Sequence, residues 1–352
     1  MNTTHRTRFA QHLRDIEHTV RGSFFGFSAM LPLLAAGTVD PHVGFAKIAG
    51  FLVVAANVHV FGYLHNDLVD LPIDRTHPER AADPLVRGAL SSAHVRGLVA
   101  AQVPISVAAV WAMGGRVDSI LVLAVTYAAT VAYNVYGKRC PVPPLTDAIQ
   151  GVAWFGLAAV GAVAMGDFNA LSFVVAFFGF AFIFLINGVH GGLRDIHNDL
   201  ARRCTTTAIY FGARPIDANH AHSPPALQGF ASFAFALIVV PSTVCLATNA
   251  LGHDASTRAT IAAAWILLNA TSAWYLWQVV RPHQMDRRRW IYAHQMPLLA
   301  PPLVLFLPAF GWPLRTAVLM TWAVTLLLFS EPVHRRLASI GTLWHHWTRR
   351  AA

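Results

Sequence analysis

Ten apolar stretches run along the chain, at approximately 23–37, 45–64, 95–113, 119–136, 145–165, 170–189, 227–248, 259–280, 291–310 and 314–330. Most are continuous and roughly 20 residues long, which is what an α-helix needs to cross a hydrocarbon core of about 30 Å. The pattern predicts an all-α, polytopic membrane helix bundle of nine, or ten, transmembrane helices. The count carries two values because the first and last stretches are short or bounded by proline, at Pro32 and Pro313. No low-complexity linker interrupts the series, so residues 23–332 read as one transmembrane domain. Residues 1–22 are polar and charged, lack the apolar core of a cleavable signal, and read as a cytoplasmic amphipathic segment. Residues 333–352 read as a basic cytoplasmic tail.

Composition agrees with lipid as the main solvent. Of 352 residues 55% are hydrophobic and 12% charged, about half the charge of a soluble domain. The 26 Lys+Arg against 17 Asp+Glu give +9, and their placement explains the excess. If the amino terminus is cytoplasmic and ten helices span, all but Lys47, Arg116, Arg258 and Arg315 fall on the cytoplasmic side. That is a strong positive-inside bias. The basic charge therefore reads as topology and attraction to anionic membrane lipids, not nucleic acid. The polar connections at about 65–94 and 190–226 are long and lie on that same side, where long loops tend to carry function. Cys140, Cys204 and Cys245 are far apart and have no metal or redox spacing.

The acids are few and clustered. After the second stretch comes His65-Asn66-Asp67-Leu68-Val69-Asp70-Leu71-Pro72-Ile73-Asp74-Arg75. On a helix Asp67, Asp70 and Asp74 stand at i, i+3 and i+7, three carboxylates on one face that require cationic company. After the sixth stretch comes Gly191-Gly192-Leu193-Arg194-Asp195-Ile196-His197-Asn198-Asp199, with Asp195 and Asp199 one turn apart. Clusters at matching ends of helices four spans apart can face one cavity. Hard oxygen donors without cysteine or a compact histidine set suit Mg²⁺, which is commonly shared between carboxylates and substrate phosphates. Arg75 and Arg80 flank the first cluster, Arg194, Arg202 and Arg203 the second, and Lys138 lies in the loop between them. Carboxylates, magnesium and Lys/Arg around one mouth describe a diphosphate site, backed by apolar helices able to hold a hydrocarbon tail.

The string Asn66-Asp67-x-x-Asp70-x-x-x-Asp74 resembles the first aspartate motif of the UbiA superfamily of intramembrane prenyltransferases. Pro84-Leu85-x-x-Gly88, Tyr133-x-x-x-Gly137-Lys138, and Asp195-x-x-x-Asp199 followed by Thr206, Thr207 and Gly212 are similar to further family segments, in order, over about residues 20–280. The resemblance implies a nine-helix bundle and two Mg²⁺ ions joining the aspartate motifs to a prenyl diphosphate. Carried over, Asn66, Asp67, Asp70, Asp74, Asp195 and Asp199 hold metal and diphosphate, Lys138 neutralises the leaving group, and Tyr133, Arg75, Arg202 and Arg203 join the diphosphate site. An allylic cation then forms in a dry tunnel, where Trp154, Phe155, Phe178 and Phe182 are candidates to shield it, and a lipophilic or aromatic acceptor captures it.

Two positions depart from the family pattern. Asp83 stands where the family has arginine before Pro-Leu, and Arg203-Cys204-Thr205 stands in place of Gly-x-Lys. The rival within the superfamily is a terpene cyclase that closes the cation on its own double bonds. A transporter is the rival from another class, although the aspartates fall at span ends and not at the midplane where transporter sites lie. A non-catalytic scaffold is the remaining class. The residues leave donor length, acceptor and oligomeric state open.

Overall fold

Every apolar stretch becomes a helix. The computed structural model describes residues 15, 19–76, 80–217, 220–281 and 287–329, so most of segment 1–22 and all of tail 333–352 lie outside the described residues. Ten long helices follow one another: α1 (Phe25–Val39), α2 (Phe45–Asp74), α3 (Ser92–Ala112), α4 (Val117–Tyr136), α5 (Pro143–Ala164), α6 (Ala170–Leu185), then after an irregular stretch α9 (Pro225–Ala247), α10 (Ala255–Val280), α11 (Arg287–Phe306) and α12 (Trp312–Phe329). Between α6 and α9 lie the short α7 (Ile196–Ala201) and α8 (Thr207–Tyr210) and a two-stranded antiparallel ribbon, β1 (Arg214–Pro215) with β2 (Ala221–His222). Among the described residues seven helices, α2 to α6 with its extension and α9 and α10, are long and apolar enough to cross a membrane. Against the expected nine or ten spans, the described residues therefore hold seven such helices, and α1 is a shorter apolar helix of 15 residues. The chain is an integral membrane helix bundle.

Helix is the only way for such runs to satisfy their backbone in lipid. Their ends are set by local chemistry. Ser91, Asn169 and Asp254 accept hydrogen bonds from the first-turn amides of α3, α6 and α10, and Pro143 and Pro225 occupy first helical positions of α5 and α9.

Helix α1 is the central post. It is apolar all round, with buried residues from Gly26 to Gly37 on every face, and it packs against α2, α5, α6 and α12. The other long helices surround it as neighbouring pairs: α2 with α3, α4 with α5, α5 with α6, α6 with α9, α10 with α11. Gly161 of α5 lets the two backbones meet, because a Cβ there would strike the carbonyl oxygen of Pro32. Alternating helix direction brings the carboxyl ends of α2 and α6 to the same end of the bundle.

Candidate active site

The first aspartate motif is the last two turns of α2. Asp70 and Asp74 are 6% and 7% exposed, and the helical spacing puts them on one face with Asp67, yet each meets a different cation. Arg21 Nη2 donates to Asp67 Oδ1 at 2.6 Å, with its guanidinium 4.8 Å above the Tyr63 ring. Lys138 Nζ donates to Asp70 Oδ2 at 2.8 Å, and Asn66 Nδ2 approaches the same oxygen at 3.2 Å. Burial opposes the Arg80 charge, but Asp74, Asp83 and Asp67 outweigh it and raise the guanidinium pKa. Arg80 Nη1 donates to Asp83 Oδ2 at 3.2 Å. The acid at the family's arginine position is thereby neutralised by an arginine three residues earlier, which itself faces the motif.

The second motif is built by a break in α6. The helix widens into a π turn at Ile186–Gly191 and re-forms at Gly192–Arg194 before α7, and such single π turns recur at functional sites. Arg194 grips Asp195 with Nε–Oδ1 at 2.9 Å and Nη2–Oδ2 at 2.6 Å. Burial opposes the Asp195 charge, but the Arg194 hydrogen bonds and the charges of Arg194, Arg80 and Lys138 prevail and hold its pKa below the usual carboxylate range. Asp199, one turn on, is 4% exposed. Burial, then the like charges of Asp195 and Asp70, push its pKa up to about 7 against the pull of Lys138 and Arg194.

Lys138, just past α4, joins the two clusters. Burial works against its charge, but its partner Asp70, then Asp199 and Asp74, overcome this and raise its pKa. Tyr133, a turn earlier, interacts electrostatically with Asp147, Asp70, Asp199 and Arg194, so the structure gathers it with both motifs. An open cavity of about 330 Å³ lies against this junction, lined among others by Asp70, Lys138, Arg139, Arg203 and Thr205.

Three arginines are placed differently from one another. Arg203 lines that cavity and is exposed. Arg202 also borders it, but its guanidinium is spent on backbone: Nη1 donates to Ile73 O at 3.2 Å and Nη2 to Thr76 O at 2.6 Å. Arg75 is exposed and, among the described residues, its side chain makes no hydrogen bond or ion pair to either motif. The cations against the first motif are instead Arg21, Arg80 and Lys138, because helical phase turns position 75 away from the face shared by 67, 70 and 74.

Two site residues escape sequence reading. Arg21 looks like one of many positive-inside arginines, and only tertiary packing brings it to Asp67. Asp147 is 6% exposed in the first turns of α5, where the Thr207 hydroxyl donates to its Oδ2. Its signal was available, since an acid inside an apolar span is rare and costly. In the apolar interior Trp154 and Phe182 pack at a tilt against Phe27, with centroids 4.9 and 4.3 Å from it, and Phe178 adjoins Phe182 at 5.9 Å. Phe155 packs elsewhere, against Phe168 and Phe173.

The donor chemistry fits Mg²⁺ held jointly with a ligand. Among the described residues no three His, Cys, Asp or Glu side chains converge closely enough to cage a metal alone. Mg²⁺ usually takes one or two carboxylates and completes its shell with water and phosphate oxygens. Asp199, whose ionisation is opposed first by burial and then by the charge of Asp195, is a carboxylate that a divalent cation would relieve.

A sequence model of the UbiA prenyltransferase family matches residues 24–296. Among solved structures, the chain is similar to the apo structure of a UbiA homologue from Aeropyrum pernix K1, at 20% identity and TM-score 0.58, covering 80% of this chain and 94% of that one. It is similar to a UbiA homologue from Archaeoglobus fulgidus bound to GPP and Mg²⁺, at 15% identity and TM-score 0.59, covering 89% and 99%. It is likewise similar to a digeranylgeranylglyceryl phosphate synthase, at 15% identity and TM-score 0.59, covering 84% and 98%. Likeness at these identities speaks for the fold. Among curated proteins there is no match. The family match runs from the start of α1 into α11, and the helical fold and both aspartate motifs lie within it: the chain belongs to the UbiA prenyltransferase family.

Proposed function

We propose that the chain is a Mg²⁺-dependent intramembrane prenyltransferase that ionises a prenyl diphosphate and passes the prenyl group to an aromatic or other lipophilic acceptor. The observation that carries this reading is Lys138, held by Asp70 at 2.8 Å and electrostatically by Asp199 and Asp74, a fixed cation between two carboxylate clusters. Family membership supports it, as do the solved UbiA homologues from Archaeoglobus fulgidus that contain GPP with Mg²⁺ and DMAPP with Mg²⁺.

Under this reading Asn66, Asp67, Asp70, Asp74, Asp195 and Asp199 hold Mg²⁺ together with diphosphate oxygens. The metal, when bound, neutralises the charge that develops on the leaving diphosphate. Lys138 adds a fixed positive charge at the same group, and Tyr133 and Arg203 border its seat. As the allylic C–O bond breaks, both electrons leave with diphosphate. We assign shielding of the cation from water to Phe27, Trp154, Phe178 and Phe182, whose rings pack on one another in the apolar interior. The positive-inside bias assigns the site to the cytoplasmic face of the cell membrane.

The test is diphosphate release by the purified full chain in lipid nanodiscs, given Mg²⁺ and prenyl diphosphates of increasing length, with and without extracted lipophilic acceptors. Release that needs Mg²⁺ and an acceptor is expected, with loss of activity in Asp67→Ala and in Asp195→Ala. Unchanged turnover in both variants would sink the assignment. A cyclic hydrocarbon or alcohol made without acceptor would replace transfer by cyclisation.

A further inference from the structure

The stretch that carries Asp199 ends in a turn that falls on one of the departures from the family pattern. Five helices close with the same backbone device, in which the residue after the C-cap takes a left-handed conformation and the next amide reaches back to the third-last carbonyl. In α3, α5 and α8 the left-handed residue is Gly114, Gly166 or Gly212, and in α9 it is Asn249. In α7 it is Arg203, at φ 58°, with Cys204 N bonded to Asp199 O at 2.8 Å and Arg203 N to Leu200 O at 3.1 Å. Non-glycine residues in this region are strained by about 1–2 kcal/mol. The family glycine position is thus the turn position, and this chain keeps the turn without the glycine.

What the turn does here is aim its C-cap residue, Arg202. The guanidinium crosses to the end of α2 and donates to Ile73 O at 3.2 Å and Thr76 O at 2.6 Å. Those carbonyls flank Asp74 at the negative end of the helix dipole; Ile73 O also accepts from the Thr76 hydroxyl at 2.6 Å and from the Thr76 amide at 3.1 Å. One planar fork therefore ties the loop immediately after Asp199 to the helix end immediately before and after Asp74, across 126 residues of sequence. Lysine has a single ammonium and no planar fork to meet two carbonyls at once.

We propose that Arg202 is a positioning residue that clamps the second aspartate motif to the end of the first, fixing the separation of the carboxylates that share metal and diphosphate. The part concerning metal rests on the functional reading above; the clamp itself does not. It also replaces the expectation that Arg202 binds diphosphate directly.

Three measurements on the full chain in nanodiscs separate these ideas, using Arg202→Gln and Arg202→Lys. Hydrogen exchange on metal-free protein should speed up together at the amides of 74–76 and 202–206 in both variants. Mn²⁺ affinity without diphosphate, read by electron paramagnetic resonance, should fall by about tenfold, as for other residues that orient metal ligands. The KM for prenyl diphosphate at saturating metal should stay within about twofold. The clamp is overturned if exchange at 74–76 is unchanged. It is overturned equally if Arg202→Lys restores Mn²⁺ affinity while Arg202→Gln raises KM, which is the signature of a diphosphate ligand. If exchange loosens as expected but the wild-type chain binds no Mn²⁺, the clamp stands and the metal-diphosphate reading falls.

Discussion

At the scale of single residues, the site is a set of carboxylates whose charges are unequally met. Asp195 is held ionised by the fork of Arg194, whereas Asp199 has its pKa pushed up to about 7 by burial and by Asp195. A proton therefore competes with a cation at Asp199. With Asp199 among the metal ligands, apparent Mg²⁺ affinity should fall by about tenfold for each pH unit below 7 and level off above it; Mn²⁺ titrations between acidic and mildly alkaline pH read this out. A flat profile would remove Asp199 from the set. For the metal-free chain the sign is opposite. A carboxyl raised from 3.8 to about 7 on folding contributes stability that is complete below the lower value and disappears as pH rises through the upper one. Lys138 carries the complementary prediction. Lys138→Met should lower kcat by about 10²–10³-fold, the cost of losing one preorganised charge at a developing anion, while far-ultraviolet circular dichroism keeps its helical signature. Aspartate spacing made the carboxylates legible, and so did Lys138 by its motif. Arg21 was hidden as one arginine among many, whereas Asp147 stands in no motif and is marked only by being a lone acid in an apolar run.

At the scale of elements, helix boundaries follow apolar run length and a few caps, and the ten runs and ten long helices agree closely. What the runs did not foretell are the interruptions. The π turn at Ile186–Gly191 falls where the sixth apolar run gives way to Asn187, Gly188, His190 and Gly191, and it carries tertiary contacts: Asn187 donates to Gln150, and a Cβ at Gly188 would meet Phe230 and Asp147. Contact between α1 and α5 is equally specific. Gly161→Val places side-chain atoms where Pro32 O now lies, so α5 must retreat from the central post. A loss of about 1–3 kcal/mol is expected from this overpacking, visible as a lower thermal midpoint in detergent. Gly97→Ala in α3, where no heavy atom lies within 4 Å, should be neutral or stabilising by up to about 1 kcal/mol. Equal midpoints for the two variants would contradict the close α1–α5 approach.

For the whole molecule, the even number of helix reversals between the motifs puts α2 and α6 carboxyl ends together, and the topology we propose from the Lys/Arg bias has that end facing the cytoplasm. Cys140, half-buried just past α4 and close to Lys138, is a native reporter. A membrane-impermeant maleimide should leave Cys140 unmodified in right-side-out vesicles and label it in inverted ones, whereas Asp118→Cys, at the opposite end beside Arg116, should do the reverse. Labelling of Cys140 from outside would invert the topology.

The chain's sequence alone determined that it lives in a membrane, where its helices lie, that both aspartate motifs stand at one end of the bundle, and which family its motifs resemble. Lipid leaves a long apolar run no alternative to helix, and a period of 3.6 stacks Asp67, Asp70 and Asp74 without reference to anything else. Only the tertiary structure decided which cation serves which carboxylate. The pairs Arg21–Asp67 and Lys138–Asp70 span 46 and 68 residues, and the bond from Arg202 to the Thr76 carbonyl spans 126. Such pairings depend on how helices rotate and pack, and a helix as uniformly apolar as α1 carries no stripe from which that rotation can be read.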